Sequence, residues 1–482
     1  MNIFKSFGIY AGGQALNSTI RFFLIPYYSY LLSVSDFGKV GMVWMLLPAL
    51  SLFIGMGLTA SVSLKYYKVK GELRENLLNF SFIATFLLFV CVGIVVFFAY
   101  SILEQFFLLD VPLSDYMKLV CAAYGAFLID FILALFKIRI QPKKFFLFNT
   151  LYTVISIGFL LFFLVVLNRG FSGFIDGTLY GNVAMAVILV AVHIHSCKTF
   201  RIDLPHGLVS DLVRLSGPIV AGFAISYLIT YSGRYVLAQV STMADVGIYT
   251  MGTRFGDAFN LFFVNPFLTA VNPILFKLFA EDLEGFTHSM KKYFNIYLLC
   301  GAFLLLLANL TLEIVFRLFI HEQYTEGMLV AQISFWAILV FGLSQHVGTV
   351  NLVRERLRLI MLFSFCCGIV SLGMTYLFVP FMGGLGAVVA SLVSYMLLLS
   401  MQFVSSQRAV YINYEGVKAI LFTSSTLVAF FIQVSVDKVV SAFWIAMGFK
   451  VGIVVLFIYF VCRFRVYEEV NLLVDKIRER IG

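Results

Sequence analysis

Charged residues are scarce in this chain of 482 residues. Asp, Glu, Lys and Arg make up 12% of it, whereas hydrophobic residues make up 61%. Soluble domains carry about 25% charged residues, and disordered chains have few apolar residues. The scarcity therefore excludes both classes and is typical of a protein whose surface faces lipid.

Cysteine is also sparse, and motifs for metals or nucleotides are missing. The seven cysteines lie within apolar runs or at their ends, and an odd number so placed argues against a disulfide framework. The chain contains no CxxC, HExxH or GxxxxGK[ST] pattern. We therefore expect no metal, no cofactor and no ATPase function within this sequence.

Long polar segments are absent, because short polar gaps separate one apolar run from the next. A membrane-spanning helix needs about 20 mostly apolar residues, and in lipid its backbone groups must bond within the segment. The sequence predicts an all-α, polytopic integral membrane protein with about 14 transmembrane helices. The predicted spans are 8–32, 40–61, 79–102, 114–136, 147–168, 178–196, 214–237, 247–274, 293–316, 328–350, 359–380, 384–403, 417–436 and 441–462.

Lys and Arg fall mainly in every second gap, which predicts the orientation. With both termini in the cytoplasm, 25 of them lie in cytoplasmic segments and five in outer gaps. Such an excess normally marks the cytoplasmic side. The basic residues of the cytoplasmic gaps then explain the net charge of +9, and we expect no nucleic-acid partner. The five basic residues of the outer gaps are Lys39, Lys118, Arg169, Arg317 and Lys438.

A short motif suggests that the chain repeats internally. Asp36-Phe37-Gly38 follows the first span and Asp245-Val246-Gly247 follows the seventh, although Asp-x-Gly is also common in turns. We predict two six-helix lobes, residues 1–205 and 206–412, joined near Pro205. Residues 413–482 then hold two further spans and a cytoplasmic tail with apolar residues at helical spacing.

The first span carries a polar stripe that ends in an arginine. An ionisable residue at membrane depth costs about 2.5–3.5 kcal/mol on insertion scales, so it usually marks function. The stripe either lines a cavity, which we favour, or forms a hydrogen-bond network between helices. Its members share one helix face and are Tyr10, Gln14, Asn17 and Arg21.

Further ionisable residues lie in later spans. Arg234 has no acid within one turn, so it is a ligand candidate unless it snorkels to headgroups. Arg254 and Asp257 are three residues apart and can instead neutralise each other. Asp130 is the acid deep in the fourth span and the candidate for ion coupling.

Glu313 and Lys450 are two further ionisable residues within the predicted spans. Glu313 lies four residues before Arg317 and predicts a local ion pair, whereas the sequence assigns no partner to Lys450. The intramembrane balance is cationic, so we expect a cavity that prefers an anion such as a phosphate group.

Three runs near the start of the chain carry a resemblance to a known family, and they are Ile9-Tyr10-Ala11, Phe23-Leu24-Ile25-Pro26-Tyr27-Tyr28-Ser29-Tyr30-Leu31-Leu32 and Asp36-Phe37-Gly38. They resemble the opening of bacterial polysaccharide flippases of the Wzx type, which translocate O-antigen or capsule repeat units. The segment from Arg234 to Tyr249 is similar to the start of their second lobe. These proteins belong to the multidrug/oligosaccharidyl-lipid/polysaccharide exporter (MOP) superfamily.

The resemblance implies a function. Such proteins move an undecaprenyl-pyrophosphate-linked oligosaccharide from the inner to the outer leaflet of the bacterial cytoplasmic membrane by alternating access, without enzymatic activity. It implies a lipid bilayer, a polysaccharide polymerase and chain-length proteins as partners. The family's cavity arginines carry over to Arg21 and Arg234, and less directly to Arg254.

Two other functions compete with the flippase. A cation-coupled multidrug exporter of the same superfamily would need intramembrane acids, and this chain has few. A membrane polysaccharide polymerase would need a sizeable outer loop or a catalytic His/Asp pair, and the outer gaps are too short for that.

Overall fold

A computed structural model describes residues 3–69, 71–196, 205–439 and 443–464, and these residues are mostly helical with no β-strand among them. The predicted all-α fold class is confirmed. The α-helices in chain order are α1 Ile3–Leu31, α2 Val34–Gly55, α3 Leu58–Lys65, α4 Glu72–Phe98, α5 Tyr100–Phe107, α6 Leu113–Ile138, α7 Pro142–Leu161, α8 Gly170–Ser196, α9 His206–Val240, α10 Met243–Phe259, α11 Asn265–Glu281, α12 Leu283–Phe319, α13 Gly327–Val353, α14 Leu357–Met382, α15 Gly384–Ala409, α16 Gly416–Val439 and α17 Phe443–Phe464.

Twelve helical segments of the described chain are long and apolar enough to cross a membrane. They correspond to the second through thirteenth predicted spans. The first predicted span forms α1, whose polar residues lower its hydropathy. The last predicted span forms α17. The short helices α3 and α5 follow the second and third spans and were not predicted.

The eighth predicted span continues through its prolines. A π-helical turn, Asn260–Val264, joins α10 to α11, so the segment Met243–Glu281 is helical throughout. Pro266 follows this turn and has no N–H to donate to it, so it interrupts the regular bonding pattern at the point where the helix type changes. The proline therefore marks a local change of helix type and leaves the span continuous.

The chain divides into two compact units. The first contains Met1–Thr250 with Thr375–Ala387, and the second contains Met251–Met374 with Val388–Gly482. The predicted lobe boundaries at 205/206 and 412/413 stay a prediction. Residues 197–204 of the predicted linker and residues 465–482 of the predicted tail lie outside the described residues.

Helix α6 forms the centre of the first unit. It packs against α2, α4 and α8, and Tyr116 and Phe131 are among its fully buried side chains. Near the start of α6, Lys118 Nζ lies 2.8 Å from both Asp115 Oδ1 and Asp176 Oδ1, which ties α6 to α8.

The two Asp-x-Gly motifs have the same local structure. Asp36 N–H donates to the Ser33 hydroxyl at the start of α2, and Asp245 N–H donates to the Thr242 hydroxyl at the start of α10. An acid in the first turn also favours the helix electrostatically. Both motifs are therefore helix starts, as the proposed repeat requires.

The glycines of these motifs allow α2 and α10 to touch within the first unit. A Cβ on Gly38 would lie 1.9 Å from the Met243 carbonyl oxygen, and one on Gly247 would lie 2.1 Å from the Val34 carbonyl oxygen. Since any side chain would collide with backbone there, each motif needs glycine for this close approach.

In the second unit, polar side chains link α12 to α13, α16 and α17. Gln332 Nε2 donates to Asn309 Oδ1 at 2.8 Å, and Asn309 Nδ2 donates to Gln433 Oε1 at 3.1 Å. Lys450 Nζ donates to Glu313 Oε2 at 2.6 Å, and both side chains are buried. These contacts hold the last two helices of the described chain against α12.

Candidate functional site

The polar stripe of α1 combines an accessible cation with an unsatisfied amide. Arg21 is exposed, and Asn17, one turn earlier on the same face, is 6% exposed. Neither amide atom of Asn17 has a hydrogen-bond partner among the described residues. A buried amide without a partner costs about 1–3 kcal/mol, so Asn17 is a candidate to bind a ligand. The side chains of Tyr10 and Gln14 lie outside the described part of the chain.

An aromatic ring supports the Arg21 guanidinium. Its central carbon lies 4.9 Å from the centroid of the Tyr152 ring in α7. The Tyr152 hydroxyl donates to Asn182 Oδ1 at 3.0 Å, and Asn182 Nδ2 donates to the Ala122 carbonyl at 3.0 Å. Side chains of α1, α7 and α8 and a backbone carbonyl of α6 thus form one continuous chain of contacts.

Sequence reasoning missed Tyr152 and Asn182. Asn182 is a polar amide within an apolar run, which is the one sequence signal that marks it. Its importance depends on contacts with distant segments, since Ala122 lies 60 residues earlier. Tyr152 carries no local signal, because half-buried tyrosines are common in membrane helices.

Asp130 lies within electrostatic range of the same arginine. Asp130 is an exposed residue of α6, and the positive charges that act on its carboxylate are those of Arg21 and Lys137. Lys137 Nζ also lies 4.7 Å from the centroid of the Phe145 ring. Arg21, Lys137 and Asp130 together therefore contribute two positive charges and one negative charge, which leaves a net positive charge around Asp130.

Arg234 has a different environment. Its side chain is 6% exposed, and its guanidinium lies 5.4 Å from the centroid of the Tyr231 ring on the same helix. One turn earlier, the Tyr227 hydroxyl donates to the Met45 carbonyl of α2 at 2.9 Å. Arg234 is thus a buried cation on an aromatic surface in this conformation.

The second unit holds the remaining predicted site residues. Arg254 Nη1 lies 3.2 Å from Asp257 Oδ2, so these two side chains form the ion pair that their spacing allows. The pair offsets much of the charge that Arg254 would offer to an anion. Asp257 is the more exposed partner.

Glu313 pairs with the remaining intramembrane cation, Lys450, and with Arg317 of an outer gap. Its carboxylate pairs with Arg317 at 3.4 Å, as the spacing predicts, and with Lys450 at 2.6 Å. The Lys450 contact could not be read from the sequence, because the two residues are 137 positions apart. Both contacts lie away from the α1 stripe in sequence and belong to the second unit.

Solved structures with a similar fold are membrane transporters. A structure of the lipid II flippase MurJ, in an inward closed conformation, aligns with a TM-score of 0.73 and 13% identity over 94% of this chain and 100% of that chain. A multidrug resistance MATE family transporter of the MOP superfamily, in an inward-facing conformation, aligns with a TM-score of 0.62 and 14% identity over 83% of this chain and 94% of that one. A MOP superfamily transporter from Pyrococcus furiosus aligns with a TM-score of 0.53 and 14% identity over 84% and 94%.

The many candidate membrane spans and this shared fold define the class of fold, which is that of a multi-pass, all-helical membrane protein similar to MOP superfamily transporters. The profile of the family described as "Polysaccharide biosynthesis protein" matches residues 3–279, more than half of the chain. The chain therefore belongs to this family of MOP superfamily flippases, which are transporters and not enzymes. No curated protein sequence matches the chain.

Proposed function

We propose that this protein translocates undecaprenyl-pyrophosphate-linked oligosaccharide repeat units, of O-antigen or capsule type, from the inner to the outer leaflet of the bacterial cytoplasmic membrane. The observation that carries the proposal is the exposed Arg21 with its guanidinium on the Tyr152 ring, and one turn away the buried Asn17 amide, which has no hydrogen-bond partner among the described residues. The family match and the likeness to a lipid II flippase support a lipid-linked substrate.

An accessible arginine at membrane depth favours an anionic substrate. Exposure to acyl chains would be costly, so Arg21 is expected to face water or a ligand. A ring beneath the guanidinium attracts its charge without accepting any of its five N–H donors. Those donors stay available for the paired oxygens of a pyrophosphate, a geometry that arginine matches well.

The charge distribution supports the proposed topology. The 25 Lys and Arg residues in alternate gaps are expected to lie in the cytoplasm, together with both termini. The anionic headgroup of the substrate would then enter from the more basic side. A polysaccharide polymerase and chain-length proteins are proposed to act on the translocated units in the outer leaflet.

A second candidate function is the export of cationic drugs coupled to protons or sodium ions. The exposed carboxylate of Asp130 and the likeness to a multidrug transporter favour it. The two cations around Asp130 oppose it, because Arg21 and Lys137 would repel a cationic substrate. The family match to polysaccharide biosynthesis supports the flippase.

Deletion of the gene in its native host tests the proposal. We expect surface polysaccharide to disappear while lipid-linked repeat units accumulate in the inner leaflet, and expression of the wild-type protein to restore the polymer. Intact polysaccharide together with new drug sensitivity would favour the exporter and reject the flippase.

A further inference from the structure

The Arg21 side chain is long and exposed, and its position depends on a support outside its own helix. An arginine on a helix surface samples many rotamers, and fixing them for binding costs up to about 2 kcal/mol of conformational entropy. The Tyr152 ring of α7, 4.9 Å from the guanidinium, restricts that freedom before any ligand arrives.

Tyr152 is itself held in place from the opposite side. Its hydroxyl donates to Asn182 Oδ1 at 3.0 Å, and the 4%-exposed Asn182 donates to the Ala122 carbonyl at 3.0 Å. Gly125, on α6, leaves room for this asparagine, since a Cβ there would lie 3.1 Å from the Asn182 backbone carbon. The ring plane is therefore fixed by buried groups of two other helices.

The type of support matters for anion binding. A carboxylate at the position of the ring would accept the guanidinium N–H groups and compete with the substrate for them. The aromatic ring offers no such acceptors at its face, so it holds the cation and leaves its donors available. Asp130 acts on Arg21 electrostatically as well, but the close contact is with the ring.

We propose that Tyr152 is a positioning residue that holds Arg21 for the pyrophosphate group of the substrate, and that Asn182 fixes Tyr152 for this role. The inference rests on the proposed function, because it assigns Arg21 to the anion. It extends that function to two residues that contact the arginine or its support and need not touch the substrate themselves.

Binding of inorganic pyrophosphate to the purified full-length protein in detergent tests the proposal. Pyrophosphate is the probe because it carries the diphosphate chemistry without the lipid or the sugar. We expect Tyr152→Leu to weaken its affinity about fivefold, the effect of losing one cation–π contact. Tyr152→Trp should bind nearly as well as the wild type, since Trp offers the strongest aromatic face.

Tyr152→Phe separates the two parts of the support. It keeps the ring and removes the hydroxyl bond to Asn182, so we expect a smaller loss of affinity than in Tyr152→Leu. The matched control is Tyr180→Leu in α8, whose ring stacks on Phe163 at 5.3 Å between centroids. It should lose packing without changing pyrophosphate affinity.

A double variant distinguishes positioning from a general structural effect. In an Arg21→Ala background, Tyr152→Leu should have no further effect on pyrophosphate affinity, because the ring then has no cation to hold. An equal fivefold loss in both backgrounds, or no loss in either, would overturn the inference while the arginine site stands. A wild-type protein that binds no pyrophosphate, or an Arg21→Ala variant that binds it normally, would reject the anion site and this inference together.

Discussion

Removing either partner of the buried Glu313–Lys450 pair should destabilise the second unit strongly. The side chain of Lys450 is 0% exposed and that of Glu313 is 5% exposed, with 2.6 Å between Nζ and Oε2. Breaking a buried ion pair costs about 3–5 kcal/mol, because the remaining charge loses its compensation away from water. Arg317 still lies 3.4 Å from Glu313, so Lys450→Met should fall near the lower end of that range.

Glu313→Leu should be the more severe change, since it removes the carboxylate that compensates a fully buried ammonium. The double variant Glu313→Leu/Lys450→Met should be less destabilised than either single variant, because uncharged residues of similar size need no compensation. The matched control is Lys277→Met, which breaks an exposed pair with Glu281 at 3.8 Å and should leave stability unchanged within error.

The assay is denaturant unfolding of the purified protein in detergent, followed by tryptophan fluorescence and helical circular dichroism. Trp336 of α13 lies 5.7 Å from the Phe430 ring of α16, so its emission should report the separation of α16. If the two single variants unfold like the wild type, or if their losses simply add in the double variant, the pair does not anchor the last two helices.

Three further outcomes follow from the site and the charge pattern. Arg21→Ala and Arg234→Ala should each abolish or strongly reduce transport at matched expression. For Arg21→Ala we expect about a thirtyfold loss of substrate affinity. Transport equal to that of the wild type in either variant would remove that residue from the site. Asp130→Asn should change how transport depends on pH, measured in whole cells at several external pH values; an unchanged profile would dismiss Asp130 as an ion carrier. The hydrogen bond from Lys291 holds the pKa of Glu415 below its ordinary value, so this carboxylate contributes stability at neutral pH that is lost as the pH falls through its lowered pKa. The difference in melting temperature between the wild type and Glu415→Gln should therefore shrink under acid conditions, and a difference that grows on acidification would contradict the sign.

The sequence predicts the helices well because lipid imposes one rule on every span. Continuous apolar runs indicate which segments form long apolar helices without any knowledge of packing. Exceptions occur where polar residues enter a span. The stripe in α1 lowers its hydropathy, and a π-helical turn precedes Pro266 within the eighth span.

The candidate site could be predicted only where it lies on one helix. The spacing of Asn17 and Arg21 places them on one face, and the continuous α1 retains that relation. The support from Tyr152 and Asn182, and the pairing of Lys450 with Glu313, join segments far apart in the chain. Helical periodicity gives no information on such contacts, because it does not show which helices are neighbours.

The close approach of α2 and α10 illustrates the same limit. The recurrence of the Asp-x-Gly motif suggests an internal repeat, and the structure shows two similar helix starts. The reason for the glycines appears only when Gly38 lies against the Met243 carbonyl and Gly247 against the Val34 carbonyl. Each glycine is thus explained by the other motif and not by its own surroundings in the sequence.

The most direct test of the central claim is a flipping assay in proteoliposomes. The purified protein would be reconstituted with a fluorescent polyprenyl-pyrophosphate-linked oligosaccharide, and a membrane-impermeant reductant would quench the label in the outer leaflet. We predict that the protected fraction falls from about half to near zero with the wild-type protein and stays at about half with Arg21→Ala or with empty liposomes. Equal protection with the wild-type protein and with empty liposomes would contradict the account.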